Sequence, residues 1–145
     1  MKNKIYIGID TGTHTGLAVW KSPDKKFDFI GTMPIHKAMK IVLTWHETHG
    51  QDLFVRFEDA RQRKWFGHAD REKLQGAGSI KRDCTIWEDF LKDSGIEYEA
   101  VAPRKNITKL SAQRFKLITG FKGQTSEHAR DAAMLVYGYE QKFRL

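Results

Sequence analysis

Ile5, Ile7 and Ile9 alternate with Tyr6, Gly8 and Asp10, so the chain begins with a strand that has one apolar face and ends on a carboxylate. A polar, glycine-punctuated turn occupies 11–16. A second strand at 17–20 is broken by Ser22-Pro23-Asp24, and 26–32 reads as a third. Strands joined this closely form an antiparallel meander. Pro34 then opens a helix reaching His49, with Ile35, Ala38, Met39, Val42 and Trp45 at helical spacing and Gly50 as its stop. The fourth strand, 53–57, is mostly apolar on both faces, as an inner strand of a covered sheet must be, and it ends at Glu58-Asp59. A long helix is expected over 69–92. Its Gly76-Ala77-Gly78 permits close approach of another backbone, within the chain or between two chains. A fifth strand at 96–101 and helices at 111–119 and 127–141 complete the order β-β-β-α-β-α-β-α-α. This is an α/β pattern: a mixed sheet with helices on its faces and strands one and four as the inner pair. The 145 residues make a single domain, 1–145.

Charge narrows the partners. The chain carries 25 Lys+Arg against 18 Asp+Glu, a formal charge of +7. Between 101 and 126 there is no acid, yet Arg104, Lys105, Lys109, Arg114, Lys116 and Lys122 all lie there. A second tract, Arg61-Gln62-Arg63-Lys64-Trp65-Phe66, sets three cations beside two aromatics. Cations neutralise phosphates, and aromatic faces receive unstacked bases, so a distorted or partly single-stranded nucleic acid is the expected partner. The bland alternative is a solvated loop whose Trp65 and Phe66 tuck into the core. The lone Cys84 excludes an intramolecular disulfide framework, no Cys/His pairing resembles a zinc site, and the compartment is expected to be reducing. No apolar run is long enough for a membrane span, and the basic start lacks the features of a secretory signal.

Acids and one imidazole sit at element ends. Asp10 ends the first strand and Glu58-Asp59 the fourth, while His128 and Asp131 lie three apart on the last helix and so share a face. A helix packed on the inner strand pair would bring them into one cluster. Crowded carboxylates repel unless a cation joins them, and Mg²⁺ prefers a few carboxylates with water and phosphate oxygens. Such ions hydrolyse phosphodiesters without a covalent nucleophile. Taken singly, each residue has an ordinary explanation: a turn cap for Asp10, an ion pair with Arg61 or Arg63 for Glu58 or Asp59, a helix first turn for His128 and Asp131. Neighbouring strand residues face opposite ways, so only one of Glu58 and Asp59 joins Asp10, and parity alone does not choose.

The strand ending Ile-Gly-Ile-Asp10, the strand carrying Glu58 and the helix with His128-Ala-Arg-Asp131-Ala132-Ala133 together resemble the RuvC-like Holliday-junction resolvases of the ribonuclease H-like superfamily, most of all their bacteriophage members. The resemblance implies a ribonuclease H-like mixed five-stranded sheet flanked by helices. It implies that Asp10, Glu58, His128 and Asp131 bind two Mg²⁺ or Mn²⁺ ions, so it selects Glu58 over Asp59. It further implies a cytoplasmic homodimer nicking opposing strands of a four-way junction in recombination or repair. The helix containing Gly76 and Gly78 would be the dimer helix, Trp65 or Phe66 the wedge in the junction, and Lys109 a phosphate contact. Arg61, Arg63, Lys64, Arg104, Lys105, Arg114 and Lys122 join them as expected DNA contacts. No organic cofactor is implied.

Three other readings remain open on sequence alone. One keeps the chemistry but acts on other branched DNA or on RNA. One takes the Asp10–Gly16 turn as the phosphate loop of actin-like and sugar kinases, although those use two such domains. The last is a DNA-binding protein without catalysis.

Overall fold

The computed structural model describes residues 4–62, 71–103 and 106–140, with the side chains of 71–77 outside the description. Five strands form one sheet, in the spatial order third, second, first, fourth, fifth along the chain. They are β1 (Ile5–Asp10), β2 (His14–Lys21), β3 (Lys26–Pro34), β4 (Leu53–Glu58) and β5 (Glu97–Val101). β1, β2 and β3 run antiparallel as the expected meander, and β4 and β5 add in parallel on the other side of β1. The inner pair is therefore β1 and β4. β3 runs past the expected end because Thr32 and Met33 still pair with Gly16 and Thr15.

Each face of the sheet carries its own core. On one face, Ile5, Ile7, Ile9, Leu17, Val19, Leu53, Val55 and Phe57 meet Ala38 and Val42 of α1 (Ile35–His49). Cys84, Trp87 and Leu91 of α2 (Arg71–Asp93) close the same cluster. The apolar stripe read along 35–45 thus faces the sheet, and Gly50 caps α1 with φ 53°, a conformation that disfavours any Cβ.

On the other face, Tyr6, Ala18, Trp20 and Phe54 meet Phe115 of α3 (Ala112–Thr119) and Ala129, Ala132 and Ala133 of α4 (Glu127–Met134). Both short helices start on a serine cap: Ser111 Oγ accepts from the Arg114 N–H, and Ser126 Oγ from the Ala129 N–H. α4 is shorter than the expected 127–141. After Met134 the chain turns, and Leu135 and Val136 are buried beneath the sheet face rather than along a helix stripe. The Arg56 guanidinium accounts for part of this ending. It donates to the Leu135 carbonyl and, at 3.0 and 2.8 Å, to Glu99 Oε1, and it lies 4.1 Å from the centre of the Tyr139 ring.

α4 approaches the sheet more closely than side chains allow. A Cβ built on Gly8 would lie 2.1 Å from the Ala132 carbonyl oxygen, and one on Gly16 would lie 2.0 Å from that of His128. Two glycines of the sheet thus let the helix backbone rest directly on β1 and β2. Gly78 differs: a Cβ there meets nothing within 4 Å, so the close backbone contact allowed at this position is not made within the described chain. Gly76 lies among the residues whose side-chain surroundings are not described.

Candidate active site

Strand alternation decides between Glu58 and Asp59. Ile9 pairs with Phe57 in parallel register, and both belong to the face covered by α1 and α2. Asp10 and Glu58, one residue further along each strand, therefore project toward α4 at the C-terminal ends of the two inner strands. Asp59 goes the other way and is buried.

From the helix side, His128 Nδ1 lies 2.9 Å from Asp10 Oδ2, across 118 positions of sequence. With Asp10 ionised, the ring Nδ1–H donates, which leaves the Nε2 lone pair available to a cation. The Asp10 side chain is 13% exposed and that of His128 56%, so the pair spans the boundary between core and solvent. Burial pushes the Asp10 carboxyl up to about 6; the hydrogen bond from His128 opposes this and the nearby charge of Asp131 adds to it. Asp131 is raised as well, again chiefly by burial, while the Lys109 N–H, donating to its Oδ1 at 2.8 Å, pulls it back.

Asp10, His128 and Asp131 thus sense one another electrostatically, with Glu58 on the same sheet face beside Asp10. The donor chemistry suits a hard divalent cation: carboxylate oxygens, one imidazole nitrogen, and a buried carboxyl whose ionisation a cation would favour. Among the described residues, however, no three of these groups close around one point as a ready-made metal cage.

The other expected contacts divide. Asp59 and Arg61 form an ion pair, with Arg61 Nε 2.7 Å from Asp59 Oδ1 and Nη1 3.1 Å from Glu88 Oε1. Arg61 therefore clamps the end of β4 to α2, through the Asp59 pair that was one of the ordinary explanations open on sequence and through Glu88, which was not foreseen. Burial alone would raise the Asp59 carboxyl; hydrogen bonds from Arg61 and Gln62 outweigh it and hold the group below its usual range. A carboxyl depressed on folding stabilises above its unfolded pKa, and the benefit disappears as pH falls through the folded value. Asp59→Asn should accordingly cost about 1–3 kcal/mol at pH 7. The gap between the urea midpoints of the two proteins should begin to narrow below about pH 4 and close only as pH falls through the depressed folded value; a gap that stays constant with pH would show that the charge is not what stabilises.

Lys109, Arg114 and Lys122 are exposed along the acid-free tract. Arg63, Lys64, Trp65, Phe66, Arg104 and Lys105 lie outside the described residues.

Several contributors were not singled out from sequence. Gly8 and Gly16 admit α4. Ser126 caps α4 and also hydrogen-bonds Thr32 of β3. Cys84, on α2, has its Sγ 3.6 Å from the Glu58 carbonyl oxygen and 3.5 Å from Thr11 Oγ1, and so braces the ends of β4 and β1 from behind. The signal for the glycines was present: small residues, Gly8, Gly16 and Ala18, fall on the strand face opposite the alanine face of α4.

No family model matches the sequence, and no curated protein does either. Among solved structures the fold is similar to that of Thermus thermophilus RuvC, determined in complex with a Holliday junction substrate. The match covers 94% of this chain and 92% of that one, with a TM-score of 0.59 and 17% identity. The architecture is thus RuvC-like: the mixed five-stranded sheet flanked by helices that is typical of the ribonuclease H-like fold. No helix among the described residues is long and apolar enough to cross a membrane.

Proposed function

We propose that a chain with this RuvC-like fold is a divalent-metal-dependent endonuclease that resolves four-way DNA junctions by nicking opposing strands. The observation carrying this reading is the approach of His128 and Asp131 to Asp10, with Glu58 on the same face at the ends of the inner strands. That is where open α/β sheets place their ligand sites. Asp10, Glu58, Asp131 and His128 would hold Mg²⁺ or Mn²⁺, two ions being expected. When bound, the metal would supply an activated water and neutralise charge on the leaving oxygen.

The protein's own groups have distinct tasks. Asp10 and Asp131, raised by burial, attract a cation because its charge relieves the unfavourable ionisation of both. His128, at the solvent boundary, orients the Asp10 carboxylate through its Nδ1. The exposed Lys109, Arg114 and Lys122 would supply positive charge to hold DNA, and the tract 61–66 is proposed to contribute Trp65 or Phe66 at the branch point. Two chains acting as a homodimer would cut two strands.

Incubation with a labelled four-way junction tests this. Paired symmetric nicks are expected in Mg²⁺ or Mn²⁺ and none in EDTA, with much less cutting of linear duplex, a flap or an RNA–DNA hybrid. Preference for the hybrid or the flap would reassign the substrate, and tight salt-sensitive binding with no cutting of any substrate would favour a non-catalytic DNA-binding protein.

A further inference from the structure

Asp131 is a short side chain on a half-exposed helix face, yet one of its oxygens has a fixed partner: the Lys109 main-chain N–H, at 2.8 Å. A backbone donor orients a carboxylate only if its own segment is held still. Residues 106–110 belong to neither helix nor strand. Besides the Asn106 N–H, which donates to the Pro103 carbonyl at 3.2 Å, the restraints on them come from α4. At one end of the segment, the Asn106 side-chain amide donates to the Asp131 carbonyl oxygen at 3.2 Å. That carbonyl lies in the last part of α4, where the Leu135 N–H turns to Ala132 instead. At the other end, Arg130 Nε donates to the Leu110 carbonyl at 2.7 Å. The same guanidinium reaches back to Thr125, donating from Nη1 to its carbonyl at 2.6 Å and to its hydroxyl at 3.1 Å. The segment is thus pinned at both ends to residues 130 and 131, and its middle donates to the carboxylate of 131.

The backbone of Lys109 carries a further mark of constraint. Its φ is +59°, and only one other non-glycine among the described residues, Lys25, has a positive φ. Such a conformation in a lysine persists where the surroundings dictate it. Here it accompanies a chain that brings its N–H to Asp131 while the Lys109 side chain stays exposed.

We infer that Asn106 and Arg130 are positioning residues: they clip segment 106–110 onto α4 so that the Lys109 N–H fixes the orientation of the Asp131 carboxylate in the site. The catalytic part of this inference rests on the proposed nuclease reading; the clip itself does not. Neither residue touches the reacting atoms, and both act through Lys109 and Asp131.

The test uses the full chain with Asn106→Ala, Arg130→Met and Asp131→Ala. Amide hydrogen exchange followed by NMR reads the clip without any activity. Protection at Lys109 is expected to fall about tenfold in all three, while amides of β1 and β4 keep theirs. Steady-state cleavage of a four-way junction reads the consequence. Asn106→Ala and Arg130→Met should lower kcat about tenfold and raise the Mg²⁺ concentration for half-maximal rate, with KM unchanged. Unchanged Lys109 protection in Asn106→Ala and Arg130→Met overturns the clip. Lost protection with unaltered kcat and Mg²⁺ dependence overturns its positioning role, and so does an effect confined to KM. If Arg130→Met loses protection throughout β1 and β4, Asn106→Ala, which removes a single side-chain amide, decides alone. A wild-type protein that cuts no branched DNA refutes the nuclease reading, and the exchange experiment still decides whether the clip exists.

Discussion

Asp10→Asn is expected to lower cleavage of a four-way junction by at least ~10³-fold, equivalent to several kcal/mol of transition-state stabilisation, while leaving junction affinity within about twofold. The amide keeps the size of the carboxylate and loses the charge that would hold a cation. The same substitution should make the metal-free protein more stable. Burial raises the Asp10 carboxyl from 3.8 to about 6, so its folded form prefers the proton. The direction follows from linkage: a carboxyl raised on folding costs nothing below its unfolded pKa, and the penalty grows until pH exceeds the folded value. Asp10→Asn should therefore gain on the order of 2 kcal/mol at pH 7.5 in EDTA and almost nothing near pH 3.5. Mg²⁺ should raise the melting temperature of the wild type and leave that of Asp10→Asn nearly unmoved. Melting curves at both pH values, with and without Mg²⁺, check this alongside the cleavage assay. Normal cutting by Asp10→Asn would remove Asp10 from the site.

Gly16→Ala, a single added methyl group, should be almost as damaging. Its Cβ would sit 2.0 Å from the His128 carbonyl oxygen, 2.5 Å from that carbonyl carbon and 3.0 Å from the Ala129 nitrogen. All three atoms are helix backbone, so no side chain can rotate away. α4 must lift by an ångström or more, opening the alanine face now buried against Ala18 and its neighbours. Overpacking of this kind costs about 3 kcal/mol, which for a domain of this size lowers Tm by roughly 10 °C. The catalytic loss should exceed what unfolding explains, because the displaced residue is the one whose ring meets Asp10 at 2.9 Å. Misplacement by an ångström costs on the order of 10²-fold in rate. Thermal melting and cleavage measured well below Tm separate the two effects. An unchanged Tm would mean that the helix does not rest on β2 as described. Gly8→Ala, 2.1 Å from the Ala132 carbonyl oxygen, should behave in the same way.

Most of the strand architecture was legible because apolar spacing is a local signal. Ile5, Ile7 and Ile9 declare a strand by themselves, and the two-sided apolar run at 53–57 declares an inner one. His128 and Asp131 were legible for a similar reason, since spacing of three on a helix puts both on one face. What the sequence left open depended on contacts distant along the chain. Parity put Glu58 and Asp59 on opposite faces, and the resemblance favoured Glu58, but only the register of β4 on β1 decided which of them shares the face of Asp10. The pairing of Arg61 with Asp59, two positions away, was open on sequence beside the phosphate-contact reading; its second partner, Glu88, lies 27 positions away on another element and was not legible. The end of α4 was misjudged because 132–137 is apolar without a break, and hydrophobicity alone does not distinguish a helix stripe from a turn that buries Leu135 and Val136. The close seat of α4 on Gly8 and Gly16 required knowing which face the helix covers.

The bond between His128 and Asp10 joins residues 118 positions apart, and this has a consequence for the order of events during synthesis. β1 to β4 are complete by residue 58, whereas the imidazole and the Asp131 carboxylate arrive only with α4. At ~5–20 residues per second the ribosome needs several seconds to cover that interval, and residues still within its exit tunnel cannot pack. A nascent chain can hold most of its sheet while lacking half of its acidic cluster. A chain released after residue 122 but before α4 would carry both basic tracts without the assembled acidic centre. The acidic centre thus closes only once α4 has left the ribosome, an order set by the topology.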